Sequence, residues 1–359
     1  MLFHNITAAF RNLFRFKNQS AISLVGLVLG LACVYVISAW TIQELQYDRF
    51  HKQPENIYMV TIDIRDNNGN DNTVPETPPP LAEALKASIP EIEHSFHFIY
   101  LYGGRLIHVE DQRFKETGIA ADPELFDVLN FQLISGSLTA LEEPNSILLT
   151  ENLAEKLFPR QEPVGQSLVF GKDKAMIVGG ILKDIPENSS LQFDYIIPYQ
   201  IPYGISQEWW QLSDATFIKT RPGADIDKTK RLAQEVFRKH ITDDQYNLNL
   251  LPITKLRFGA KFDFFNAEHG NYPMLLVFIG IAGLILILAC LNYINLVSAN
   301  YIKRRDEVII KKINGAGTRS LIGYFISESI VLSIVAWLFS IPVSRIFIHF
   351  FQSILEVKV

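Results

Sequence analysis

Three apolar runs punctuate the chain, at 21–43, 272–298 and 321–344, and each reaches the length of about 20 residues that crosses a bilayer as a helix. The first two carry no Asp, Glu, Lys or Arg; the third carries one, Glu328. Between the first two, residues 44–271 change pattern and alternate between strand and helix signals. NIYMVTIDI at 56–64 is strand-like, and DNNGNDN at 66–72 reads as a turn. In PPPLAEALKASIP, Leu81, Leu85 and Ile89 fall on one helical face, with Pro80 at the start and Pro90 as the stop. A short helix is predicted over 151–158, with Thr150 as its N-cap, and another over 228–240. Apolar strand runs recur at 146–149, 175–182, 195–197 and 216–219. The mixture predicts an α+β domain flanked by three transmembrane helices.

Charge orients this arrangement. Residues 1–20 contain Arg11, Arg15 and Lys17 and no acid, with Leu2, Ile6, Ala9, Phe10 and Leu13 at helical spacing, as in an interfacial amphipathic helix. The first apolar run exceeds the roughly 7–15 residues of a signal-peptide core, so it reads as a retained span. Its Gly26 and Gly30 have the spacing that admits a second helix closely. Residues 44–271 hold 34 of the 38 acidic residues against 22 of the 33 basic ones, while basic residues gather at 1–20 and 299–320. The positive-inside rule then puts those two segments in the cytoplasm, the acidic domain outside, and 345–359 as an extracytoplasmic tail. Nucleic acid, which needs a basic footprint, is excluded as a partner, and membrane lipid is implied. Cys33 and Cys290 both lie in apolar runs and supply no disulfide framework.

The search for chemistry returns little. GQSLVFGKD at 165–173 has one residue too many between its glycines for a phosphate loop, and Asp173 stands where Ser or Thr should bind magnesium. His94, His97 and His108 lack the Cys or carboxylate cluster of a metal site, so packed or surface histidines are expected. Ser189, Ser190 and Ser213 sit in no nucleophile elbow. The triplet at 188–190 matches a glycosylation pattern that chance often produces. Phe96, Phe98 and Tyr100 alternate as core-facing strand residues, and Trp209-Trp210 stands in a polar loop as packing or a partner contact. No enzyme activity, cofactor or metal is implied.

The passage between the second and third runs is the most informative. Ile302, Ile309 and Ile313 share a helical face, and Lys303, Arg304, Lys311 and Lys312 supply charge, which predicts a short amphipathic helix at the membrane surface. Asn314-Gly315 and Gly317 end it, and Thr318 can cap the next span. Glu328, two turns into that span, is either solvated or paired with Arg305 or Arg319, or else forms a polar latch with Asn292 or Asn295.

RRDEVIIKKINGAG at 304–317, followed by Phe325 and Glu328, resembles the signature of FtsX-type permeases, and in particular of MacB-like ABC transporter permeases. The resemblance extends through YDRFHKQPENIYMV at 47–60, TPPPLAEALKASIPEIE at 77–93, ADPELFDVLNFQLISGS at 121–137 and NSILLTENLAEKLF with EPVGQSL up to Leu168. It implies a bacterial inner-membrane, non-catalytic permease subunit whose basic helix touches a separate ATPase and whose external domain is the family's periplasmic core. Arg304, Arg305, Glu307, Lys311, Lys312, Gly315, Ala316 and Gly317 would then form or adjoin the ATPase contact. It also implies a second permease copy or half, a periplasmic or outer-membrane partner, and a fourth span supplied by further chain or by a partner. The competing reading is a membrane-anchored sensor or scaffold whose external domain binds a ligand or protein without any ATPase.

Overall fold

The computed structural model describes residues 17–65, 71–101, 103–110, 112–203, 208–259, 262, 269–303, 305–313, 315 and 317–355. The predicted N-terminal amphipathic segment lies outside them up to residue 16. The chain forms two compact units, Met1–Leu45 with Asn271–Val359, and Gln46–Gly270.

The first unit contains three helices long and apolar enough to span a membrane: α1 (Lys17–Leu45), α7 (Tyr272–Lys303) and α9 (Thr318–Leu355). A shorter helix, α8 (Arg305–Ile313), lies between the last two. α1 packs against both α7 and α9, through Leu27 and Val28 of α1, Ala289 of α7 and Leu332 and Ala336 of α9. Ala336, Ser340 and Ser344 recur every four residues and are all buried, and the two serine hydroxyls donate to the Trp337 and Ile341 carbonyls of their own helix. α9 continues past Pro342, near which the third span is expected to end, as far as Leu355. Proline removes one helical hydrogen bond, a loss that spanning helices absorb by local adjustment.

The second unit is built on one mixed sheet. Its strands are β1 (Ile57–Arg65), β2 (Asp71–Val74), β3 (Glu76–Thr77), β4 (Ile92–Tyr100), β5 (Arg105–Val109), β6 (Gln112–Glu116) and β7 (Gly118–Ala121). They are followed by β8 (Leu133–Gly136), β9 (Ser146–Thr150), β10 (Ser167–Phe170), β11 (Lys174–Leu182), β12 (Tyr195–Pro198), β13 (Asp214–Thr220) and β14 (Tyr246–Pro252). The main path runs β14-β1-β13-β4-β7-β12-β9-β11-β10-β5-β6, with β2, β3 and β8 paired off it. Pairing is antiparallel except for β7 with β12 and β9 with β11. The second parallel pair needs a crossover, which contains helix α4 (Glu151–Leu157). Thr150 occupies its N-cap position in extended geometry without a side-chain cap bond.

Both faces of the central strands are covered, which is why β1 reads as an almost continuous apolar run. Ile57 and Met59 point into one cluster with Phe96, Phe98 and Phe217, closed by Leu125 and Val128 of α3 (Leu125–Val128). Tyr58, Val60 and Ile62 point into another, under α2 (Leu81–Ser88) and α6 (Ile226–Arg238). Met59 faces Phe217 and Phe217 faces Phe96 across successive strands, so the three side chains stack in register. Burying each of these side chains stabilises the fold by about 1.5–3 kcal/mol. α6 begins two residues before the predicted start, because the Asp225 carboxylate accepts the Lys228 N–H at 3.0 Å and caps it. A third cluster, with Ile147, Leu149, Met176, Val178, Tyr195 and Ile197, lies beneath Leu153 and Leu157 of α4.

Candidate functional site

Within the membrane unit, the two glycines of α1 set its approach to α7. A Cβ added at Gly30 would lie 2.8 Å from the Ala289 Cβ, and one at Gly26 2.6 Å from the Asn292 Nδ2. The predicted small-residue spacing therefore marks a helix contact, and Asn292 sets its amide against α1. Trp40 and Phe278 pack edge to face at 5.1 Å on the same pair of helices. Asn295 is exposed on α7, and Glu328 lies on α9, described through its backbone.

α7 runs to Lys303, so Ile302 belongs to its last turn, and the basic passage continues as the separate helix α8. Arg305, Glu307 and Lys311 belong to α8 and are described through their backbone; Lys312 is exposed. Arg304, Asn314 and Ala316 lie outside the described residues. Ile309, Ile310 and Ile313 are 43%, 58% and 79% exposed. A nine-residue helix thus presents three isoleucines beside Lys312. Gly315 stops it with φ +85° and donates its N–H to the Lys312 carbonyl at 3.0 Å. A residue with a Cβ pays about 1–2 kcal/mol in that conformation, so Gly315→Val is expected to raise backbone exchange across 312–318 in hydrogen-exchange measurements. α9 begins at Thr318 itself, and the Gly317 carbonyl accepts the Leu321 N–H at 3.2 Å, which places the cap one residue earlier than predicted.

In the external unit, the segment that follows α1 is held by contacts distant in sequence. Asp48, left-handed at φ 57°, donates its N–H to the Asn188 carbonyl at 2.8 Å. Its buried carboxylate accepts the Ser190 N–H at 2.7 Å and the Ser190 hydroxyl at 2.5 Å. Burial pushes the Asp48 carboxyl up to about 6, opposed by the Ser190 hydrogen bonds and the Arg257 charge. The Tyr47 hydroxyl donates to the Glu187 carbonyl at 2.9 Å, and the Asn188 amide donates to the Gln46 carbonyl at 3.0 Å. Burial holds the neighbouring His51 down at about 4, and its Nδ1 accepts the Asn130 N–H at 3.1 Å, which fixes a neutral ring protonated on Nε2.

A second buried network joins four elements. The Nδ1 of His97 on β4 lies 2.7 Å from an Asp214 carboxylate oxygen, and its Nε2 lies 3.0 Å from Asp122. The Tyr199 and Ser213 hydroxyls each donate to Asp214 at 2.6 Å. Burial alone would lower the His97 pKa, but hydrogen bonds to Asp122 and Asp214, together with their charges, push it up to about 9. Among the described residues, no group of three His, Cys, Asp or Glu side chains is placed to hold a metal. His94 lies 3.9 Å from Asp127, and His108 pairs across β5 and β10 with Val169. GQSLVFGKD folds as β10 and the turn that leads into β11. Trp209 stacks on His240 at 3.7 Å, and Trp210 is 66% exposed.

Comparison with known proteins gives this architecture a family. The MacB-like periplasmic core domain matches residues 20–236, and the FtsX-like permease C-terminal matches residues 279–358. The uncharacterised ABC transporter permease YvrN of Bacillus subtilis is 19% identical over 92% of this chain and 84% of its own length. The macrolide export ATP-binding/permease protein MacB of Neisseria gonorrhoeae is 24% identical over 63% of this chain, and the match spans 35% of that longer protein. A solved domain assigned to a permease protein from Porphyromonas gingivalis superposes with a TM-score of 0.52 at 21% identity, covering 63% of this chain and 98% of that domain. It shows that the external fold is shared. With the MacB-like core-domain match running from the first membrane helix into the external unit and the FtsX-like match across the last two membrane helices, the chain belongs to the MacB/FtsX family of ABC transporter permeases.

Proposed function

We propose that this chain is the non-catalytic, membrane-spanning subunit of an ABC transporter in the bacterial inner membrane. It takes up ATP-driven movement from a separate ATPase at α8 and delivers it to the periplasmic domain, for export or for remodelling outside the membrane. The observation that carries this reading is α8 itself. Three exposed isoleucines beside an exposed Lys312 on a short helix between two spans form a surface that is stable only against lipid or a protein. Family membership favours the protein, since one MacB relative carries an ATP-binding part within its own chain. By this reading Arg304, Arg305, Glu307, Lys311, Lys312, Gly315, Ala316 and Gly317 form the contact, and a second permease copy or half is a further partner.

Reversing two charges together, Lys311→Glu with Lys312→Glu, is expected to reduce co-purification of the ATPase from solubilised membranes at least tenfold, because each reversal replaces an attraction with a repulsion. The amount of permease in the membrane should not change. An ATPase retained in full by the double variant would exclude α8 as the docking element. A chain that captures no ATPase in either form would instead support a membrane-anchored scaffold.

A further inference from the structure

The chain enters the external unit at Gln46, one residue after α1, and leaves it at Gly270, two residues before α7. Short tethers between a spanning helix and a soluble domain normally behave as hinges. Here the incoming stretch is fastened on every side. Gln46, Tyr47 and Asp48 make five hydrogen bonds to residues 187–190, and Phe50 and His51 pack against Phe131, whose ring meets Phe193 at 5.2 Å. The outgoing end joins the same cluster. Gly270 donates its N–H to the Arg257 carbonyl at 2.8 Å, and the Arg257 guanidinium lies 4.2 Å over the Tyr47 ring. From residues 187–190 the path to the sheet is short. The Gln192 N–H donates to the Tyr100 hydroxyl on β4 at 3.1 Å, and the Asp194 N–H donates to the Thr117 carbonyl just before β7 at 2.8 Å.

We propose that residues 46–51, the loop 186–193, Arg257 and Gly270 form a clasp that fastens both ends of the external unit to its own sheet, with Asp48 as its central bond. The clasp does not rest on the permease reading. Asp48 suits the task because a buried carboxylate with two donors is a strong acceptor, and its left-handed backbone turns the chain into the loop.

Hydrogen exchange on the full chain in lipid nanodiscs tests this. In the wild type, the amides of Asp48, Ser190 and Gln192 should exchange within about tenfold of those of β7 and β12, because they open only when the sheet opens. In Asp48→Ala they should exchange at least tenfold faster while β9 and β11 keep their rates. Ser190→Ala, which removes the hydroxyl bond alone, should give a smaller acceleration at the same residues, and it carries the comparison if Asp48→Ala does not fold. Wild-type amides at 48 and 190 that exchange far faster than the sheet overturn the clasp. So does an acceleration spread evenly over the whole sheet. Failure of an ATPase to co-purify would leave these rates untouched and would count against the permease reading alone.

Discussion

Replacing His97 with leucine is expected to destabilise the external unit by about 3–5 kcal/mol, the cost of leaving a buried charge without its partner. Asp214 is fully buried and the imidazolium supplies it with a counter-charge, while Tyr199 and Ser213 supply neutral donors. Those donors place the expectation at the lower end of the range. Urea unfolding of the full chain, followed at Trp209 and Trp210 with Trp40 and Trp337 replaced by phenylalanine, measures it. A second variant tests the cause. Adding Asp214→Asn to His97→Leu removes the stranded charge and should recover more than half of the loss, whereas Asp214→Asn combined with an intact His97 should not stabilise. If the double variant is no better than His97→Leu, the charge is not what holds these strands.

The same network sets a pH dependence. His97 binds its proton more tightly in the folded state, with a pKa near 9 against an ordinary value of 6.5. Its contribution is therefore fully present below about pH 6.5 and disappears as pH rises through 9, for a total on the order of 3 kcal/mol. Asp48 and His51 act at lower pH with opposite signs. Asp48, raised to about 6, loses its share of stability as pH rises from about 4 to 6. His51, lowered to about 4, gains over the interval from 4 to 6.5, so the two largely cancel and the alkaline loss stands out. His97→Leu should flatten the profile between pH 6.5 and 9.

Much of this molecule was legible because its patterns are local. The three spans show as single apolar stretches, and the helix ended by Pro90 and the strands at 57–65 and 174–182 announce themselves within about a dozen residues. What was not legible depends on partners distant in sequence. Asp48 and Ser190 are 142 residues apart, and the triplet at 188–190 that looked like a chance glycosylation match is half of the clasp. His94 and His97 stand three residues apart, and on β4 that odd separation sends them to opposite faces. Only His97 then meets Asp214. The stripe of Ala336, Ser340 and Ser344 could have been read from its spacing of four, the same signal that exposed Gly26 and Gly30. β6 is a short, charged edge strand whose composition mimics loop.

Enlarging Gly30 is expected to have the largest effect in the membrane unit, because what meets its missing side chain cannot move aside. An added Cβ would stand 2.8 Å from the Cβ of Ala289, an atom fixed to the α7 backbone, so the two helices would have to separate. At Gly26 the clashing atom is the Nδ2 of Asn292, the far end of a side chain that can rotate. Gly30→Leu should therefore lower the stability of the solubilised full chain by on the order of 3 kcal/mol, the upper range for overpacking, and Gly26→Ala by much less. Because α1 also packs on α9 through Leu27, Val28, Leu332 and Ala336, forcing α1 away from α7 spreads the damage to all three spans. The milder Gly30→Ala offers the sharper test, since Ala289→Gly removes the opposing methyl and should restore most of its loss. Thermal unfolding in detergent, read for Gly30→Ala, Ala289→Gly and the pair, reports that coupling directly. If the two substitutions simply add, the close approach of α1 and α7 at Gly30 does not hold in the folded protein.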